Sequence, residues 1–192
     1  MELLELMKVR RSIRRYQNRQ VDKGDLQKIL EAGLYAPSAG GGQRTFLCAV
    51  QDRALCEKLG RLNRKSLDRF RLAGTCVSRD QPSIIDDASL PSGFYGAPTV
   101  CVIFAPGDFL YSIPDAFCCA QNMVLEAAEL GIASCIIARA EETLGNETGA
   151  KLMEAWHVPE HYVARCFVAL GYCQGPYPPV KERKAGRYTI IE

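Results

Sequence analysis

The sequence predicts an α+β layered domain, and three observations carry that reading. Apolar residues recur at helical spacing in several separate segments. Short, continuous apolar runs rich in β-branched residues lie between them and read as buried strands. At 192 residues the chain is long enough for one sizeable core and short for two, so residues 1–192 are taken as a single domain.

Residues 3–9 place Leu3, Leu4, Leu6 and Met7 on a short helical face that stops at a basic cluster. Asp22 is positioned to cap a second helix with the face Leu26, Ile29, Leu30, Gly33 and Leu34, ended by Pro37. Phe46 to Val50 reads as a strand, and 53–73 as a helix with its arginines and lysines toward solvent. From Thr75 to Gly96 the pattern is irregular and rich in Ser, Asp, Pro and Gly. A loop of that length inside a domain is usually a lid or a binding segment, so 75–96 is the candidate lid.

Thr99 to Phe104 is a buried strand. Pro114 fits the first turn of a long helix running to Leu130, with Gly131 as its terminator. Ile132 to Ala138 reads as another strand, Glu142 to Trp156 as one or two helical turns interrupted by Gly145 and Gly149, and Tyr162 to Leu170 as the last strand. The tail, 175–192, has no helical pattern but ends in the strand-like Arg187-Tyr188-Thr189-Ile190-Ile191. Such a segment must pair or pack to be ordered, and docking on a partner subunit is one solution.

A net charge of +2 gives no general reason to expect nucleic acid as a partner. The cations are nevertheless clustered: Lys8, Arg10, Arg11, Arg14, Arg15 and Arg19 near one end, Lys181, Arg183, Lys184 and Arg187 near the other. The two ends could build one anion site. No signal-type apolar core opens the sequence and no apolar run approaches the ~20 residues of a membrane span. Nine cysteines, an odd number, occur without a Cys-x-x-Cys pair and mostly inside apolar runs, which favours a reducing cytoplasm and argues against a zinc site. His157 and His161 share a loop, have no acidic or thiol partner at ligand spacing, and read as surface or packing residues; no metal is expected.

Four segments could carry chemistry. In Arg10-Arg11-Ser12-Ile13-Arg14-Arg15-Tyr16, an extended backbone puts Arg10, Ser12 and Arg14 on one side and Ile13 in the core, a spacing suited to a phosphate. In Ala36-Pro37-Ser38-Ala39-Gly40-Gly41-Gly42-Gln43, the glycines allow close approach of backbone to a flat ligand, and Gln43 offers an amide to ring heteroatoms. Ala120-Gln121-Asn122 on the long helix precedes Leu130-Gly131-Ile132-Ala133-Ser134-Cys135, whose strand delivers Ala138 and Arg139 to its carboxyl end. Lys181-Glu182-Arg183-Lys184 again sets two cations on one side of an extended segment. Each alone also fits a solvated turn, a flexible loop, core packing or a solvated tail.

Taken in order, with Gly171-Tyr172 and with Pro98 leading into the central strand, these motifs resemble the nitroreductase family over essentially the whole chain. The resemblance implies a central mixed or antiparallel sheet flanked by helices, in an intertwined homodimer with FMN at the subunit interface. It implies that Arg10, Ser12 and Arg14 hold the FMN phosphate and nearby oxygens, with Arg11 contributing main-chain contacts. Pro37, Ser38 and Ala39, with the neighbouring Gly41 and Gln43, would meet the same flavin from the other subunit. Lys181 and Arg183 would close on the phosphate, and main-chain groups near Ile136, Ala138 and Arg139 would face the hydride-accepting nitrogen.

The implied reaction is hydride transfer from NADH or NADPH to FMN and then to a nitroaromatic, a quinone or a similar small acceptor. The chemistry belongs to the flavin, so no catalytic side chain is assigned. Three departures from the family pattern stand out: Gly41 where an asparagine is usual, Arg44-Thr45 where a proline and an aromatic are usual, and Ala138-Arg139 where a glycine pair is usual. They bear on redox tuning and substrate class, since Arg139 could set a cation near the flavin or near an acidic substrate. The same architecture also serves dehalogenation, enone reduction and flavin fragmentation, and a non-catalytic flavin-binding or redox-sensing module is a further alternative.

Overall fold

In the computed structural model, which describes residues 1–68 and 79–192, the strands are β1 (Phe46–Val50), β2 (Thr99–Pro106), β3 (Ala133–Ile137) and β4 (Tyr162–Gly171). They form one sheet in the order β1-β2-β4-β3, antiparallel at every step. The central pair explains the continuous apolar runs. Val100, Cys101, Val102, Ile103, Phe104 and Ala105 on β2, and Phe167, Val168, Ala169 and Leu170 on β4, are fully buried because both faces of the sheet are covered.

Alternate residues supply two cores. Val100, Val102, Phe104, Phe167 and Ala169 pack on one face with Ile13, Leu59 and Phe94. Cys101, Ile103, Cys166, Val168 and Leu170 pack on the other with Ile29, Met123, Val124 and Ala127. The covering helices are α1 (Leu3–Val9), α2 (Lys23–Leu34), α3 (Arg53–Lys65), α4 (Ser112–Glu129), α5 (Ala140–Leu144) and α6 (Glu147–Ala155). Asp22 caps α2 as expected, accepting from the Gly24 amide, and Asp52 caps α3 by accepting from the Leu55 amide. Gly33 lets α2 approach α4 closely: a Cβ there would lie 2.8 Å from Met123 and 2.9 Å from Cys119.

Several boundaries differ from expectation, each for a local reason. α2 ends at Leu34, before Pro37, with Tyr35 as its cap. α3 ends at Lys65 with Ser66 as its cap, so 66–68 are not helical, and 69–73 of the expected 53–73 helix lie outside the described residues. Of the 75–96 segment, 75–78 also lie outside them; 79–96 run through bends and turns without a helix or strand. Gly145 does separate α5 from α6, but Gly149 belongs to α6 instead of interrupting it. Its amide donates to the capping Asn146 Oδ1 at 3.1 Å, and a Cβ would sit 1.8 Å from the Leu144 carbonyl oxygen. In the tail, Tyr188, Ile190 and Ile191 are exposed. No helix among the described residues is long and apolar enough to cross a membrane.

Candidate functional site

The first basic segment is shaped by β3. α1 ends where the Arg10 amide donates to the Leu6 carbonyl, and the chain then runs extended. Ser12 forms a parallel bridge to Ser134 on β3, and Tyr16 an antiparallel one to Cys173 just past β4. Ile13 is thereby driven into the core at 0% exposure. Its neighbours alternate away from it, and Arg10, Ser12 and Arg14 line a cavity of about 210 Å³ together with Arg11, Asp80, Gln81, Pro178, Lys181 and Arg183.

Five cations therefore share this cavity with one carboxylate. Burial lowers the Arg10 pKa from its ordinary range; the charges of Arg11 and Arg183 lower it further, while Tyr177 and Cys135 act in the opposite direction. An anion in the cavity would relieve that repulsion.

Arg11 is the most buried of the five. Its Nε donates to the Pro179 carbonyl at 3.0 Å and its Nη1 to the carbonyls of Lys8 and Arg10 at 2.7 and 2.6 Å. Its Nη2 is buried without a hydrogen-bond partner among the described residues. Its main-chain amide donates to the Tyr177 hydroxyl at 3.0 Å. Arg11 thus fastens residues 177–179 to the first motif, and the chain beyond them carries Lys181 and Arg183 to the cavity.

The described part of the candidate lid reaches the same place. Gln81, 4% exposed, accepts the Arg14 amide through Oε1 and Arg14 Nη1 through its carbonyl at 3.4 Å. The Arg14 guanidinium also lies over the Tyr95 ring, 5.9 Å from its centroid. Asp80, Gln81 and Tyr95 fall in the candidate lid, but nothing in the sequence singled them out individually, nor Tyr177 or Pro179, because each arrives by a long-range contact from an irregular segment.

β3 continues from Ser134 through Ile136, which is half-buried, to Ala138 and Arg139. The Cys135 thiol is pushed up by burial, with Arg14 and Arg10 close enough to oppose that shift, so this strand runs beside the cavity's cations. After the strand, Arg139 takes a left-handed backbone, φ 63° and ψ 33°, where a glycine would be unstrained. Asn63 of α3, fully buried, holds the turn: its Nδ2 donates to the Ala138 carbonyl at 2.9 Å and to Thr143 Oγ1 at 3.0 Å. Its Oδ1 accepts Arg139 Nη2 at 2.7 Å.

The glycine loop lies elsewhere: none of Pro37, Ser38, Ala39, Gly41 and Gln43 lines the basic cavity. Ala39–Gly41 form one 3₁₀ turn, with Gly40 and Gly41 left-handed at φ 60° and 64°. The loop is braced on α4, where Asp115 Oδ1 accepts the Ala39 amide at 3.0 Å. Arg44 Nη1 donates to the Ala39 carbonyl at 3.0 Å while its guanidinium stacks on Phe109 at 4.5 Å. The Gln43 amide donates to Ser38 Oγ at 3.0 Å, and both Gly41 and Gln43 are exposed. Within a single chain the first and last motifs line one cavity, β3 of the third runs beside it through the Ser12–Ser134 bridge without Ile136, Ala138 or Arg139 lining it, and the second motif lies apart.

The family model described as "Nitroreductase family" matches residues 7–172. A nitroreductase with bound FMN from Bacteroides fragilis superposes with a TM-score of 0.79 at 32% identity, covering 100% of both chains. A nitroreductase with bound FMN from Desulfitobacterium hafniense superposes with a TM-score of 0.81 at 26% identity, covering 100% of this chain and 99% of that one. A protein of Archaeoglobus fulgidus, assigned provisionally as NADH dehydrogenase/NAD(P)H nitroreductase, is 29% identical over 173 residues, 89% of this chain and 85% of its own length. The match spans the basic segment, the glycine loop and all four strands, and the chain belongs to the nitroreductase family.

Proposed function

We propose that this chain is an FMN-dependent oxidoreductase that takes electrons from NADH or NADPH and delivers them to a small acceptor of the nitroaromatic or quinone type, working as a homodimer. The observation that carries this reading is the cavity in which Arg10, Arg11, Arg14, Lys181 and Arg183 face one carboxylate, with a buried Arg11 nitrogen unpaired. Like charges crowded into a partly buried cavity repel one another until an anion joins them. A phosphate monoester fits that need, since its oxygens accept paired N–H donors from arginine and the point charge of lysine. At about 210 Å³ the cavity suits the phosphate end of a mononucleotide more than the whole of it.

In this reading Arg10, Ser12, Arg14, Lys181 and Arg183 hold the phosphate, Gln81 fixes Arg14 against it, and the Ile136–Arg139 segment serves the ring end. FMN, when bound, would supply two-electron hydride chemistry between a nicotinamide and an acceptor. The residues of the chain bind, orient and exclude water; none is required as an acid or base. The glycine loop lines no part of its own chain's cavity, so a second copy supplies Pro37, Ser38, Ala39, Gly41 and Gln43. Leu34, Tyr35, Leu110, Ile113, Ile190 and Ile191 are all exposed, apolar surface that a dimer would bury.

The test is the visible spectrum of the purified protein with and without FMN, and with NADH or NADPH under anaerobic conditions, alongside its mass in solution. Bound flavin that bleaches, on a dimer, supports the reading. Bound flavin that bleaches with neither nicotinamide leaves a binding module. A folded dimer that takes up no FMN overturns it.

A further inference from the structure

The turn after β3 holds a cation that phosphate binding does not use. Arg139 is half-buried, and no carboxylate among the described residues lies within ion-pair distance of it; exposed Glu142 acts on it only at longer range. What orients the guanidinium is a neutral group, Asn63 Oδ1 at 2.7 Å from Nη2. Asn63 is itself fixed to the Ala138 carbonyl and Thr143 Oγ1, so the anchor is held in place, while the guanidinium has no ion-pair partner among the described residues. Arg139 Nε is buried and has no hydrogen-bond partner among the described residues. Backbone preference does not explain an arginine here, because the left-handed conformation at φ 63° favours glycine.

The position is informative. β3 pairs with Ser12 at Ser134, beside the anion cavity, and reaches Arg139 two residues after it ends at Ile137. Tyr95 is tied to both ends: its ring lies under Arg14 at 5.9 Å, and it is within electrostatic reach of Arg139. Its hydroxyl oxygen accepts the Ile84 amide at 3.5 Å, which leaves the phenolic hydrogen to donate. A guanidinium oriented by Asn63, with no carboxylate in ion-pair distance among the described residues and a phenol within its electrostatic reach that has a proton to give, suits a carboxylate.

We propose that Arg139 and Tyr95 form a subsite for the carboxylate of the electron acceptor, so that this chain selects aromatic acceptors bearing a carboxylate over neutral ones. The proposal rests on the flavin reading above and names the substrate class for the same site. Arg139 supplies the charge, Tyr95 a second donor, and Asn63 acts as a positioning residue that holds the guanidinium.

The test compares 4-nitrobenzoate with its neutral methyl ester as acceptors for the FMN-loaded dimer, reading the ratio of the two kcat/KM values. A ratio of ten or more is expected for the unaltered chain, falling toward one in Arg139→Gln, partly restored in Arg139→Lys and lowered less in Tyr95→Phe. A readout without turnover accompanies it: benzoate should perturb the visible spectrum of the bound flavin saturably, with at least tenfold weaker binding in Arg139→Gln. A ratio near one in the unaltered chain, or a ratio unchanged in Arg139→Gln, overturns the proposal. So does an Arg139→Gln variant whose only change is a raised KM for NADPH relative to NADH, since the cation then reads the nucleotide's extra phosphate. A chain that binds no FMN overturns the parent reading, and this one with it, before any variant is made.

Discussion

The hydroxyl of Tyr177 accepts the main-chain amide of Arg11 at 3.0 Å, and through that bond the two basic ends of the chain become one site. Arg11 Nε adds a second tie to the Pro179 carbonyl at 3.0 Å. Lys181 and Arg183 follow only two and four residues after Pro179, so holding 177–179 sets where their charges fall. A net hydrogen bond of this kind contributes about 1 kcal/mol, roughly a factor of five in an equilibrium. Tyr177→Phe is therefore expected to weaken FMN about fivefold in a fluorescence titration of the apoprotein, with riboflavin, which has no phosphate, little affected. Equal loss for both ligands would show that Tyr177 serves the fold and not the phosphate.

Much of the fold was legible because burial writes itself into composition. The apolar run of β2 announced a buried strand and that of β4 a strand, though such runs encode neither place in the sheet nor direction, and the sheet sets the two side by side at its centre, antiparallel throughout. The alternation about Ile13 placed Arg10, Ser12 and Arg14 together from spacing alone. The site's other contributors were not legible. Gln81 and Tyr95 come from a segment without periodicity, and Tyr177 looked like part of a Pro-rich tail. The glycine loop was visible as a loop, but no local pattern could say that its own chain would keep it away from the cavity.

That loop depends on Asp115. The residue is 6% exposed, its Oδ1 accepts the Ala39 amide, and its Oδ2 is buried without a donor among the described residues. Asp115→Asn preserves the acceptor and removes a buried charge, so its stability in urea is expected within about 1 kcal/mol of the unaltered chain. Asp115→Ala leaves the Ala39 amide unsatisfied and should cost about 1–3 kcal/mol. Equal losses in both variants would assign the effect to charge and not to the hydrogen bond.

Gly149 gives a sharper test of packing. A Cβ there would come within 1.8 Å of the Leu144 carbonyl oxygen, a main-chain atom that cannot rotate away. α5 and α6 would have to separate, which at typical overpacking costs amounts to about 1–3 kcal/mol or more. Gly149→Ala should accordingly lower the urea midpoint by a clear margin. Its neighbour Ala150, exposed on the same helix, is the control: Ala150→Gly should cost only about 1 kcal/mol through helix propensity. If the two substitutions behave alike, the close approach at Gly149 is not what shapes this turn.

The buried thiols make a prediction about alkaline pH. Burial pushes Cys56 up to about 12, with the charge of Asp52 adding to the effect, and pushes Cys119 up to about 12 as well. In the unfolded chain both titrate near 9.0. Below that value both states hold the proton, and the stability these groups contribute is fully present. As pH rises above it the unfolded chain releases protons that the native chain keeps, so stability falls until the native pKa is reached. Each such thiol lowers the unfolding free energy by up to about 1.4 kcal/mol per pH unit across that window. Cys119→Ala removes one of them, and its urea-derived stability should decline less steeply between pH 9 and 11 than that of the unaltered chain. Parallel declines would mean that Cys119 ionises as readily in the folded protein as in the unfolded one. The α2–α4 packing that shields it would then be open to water.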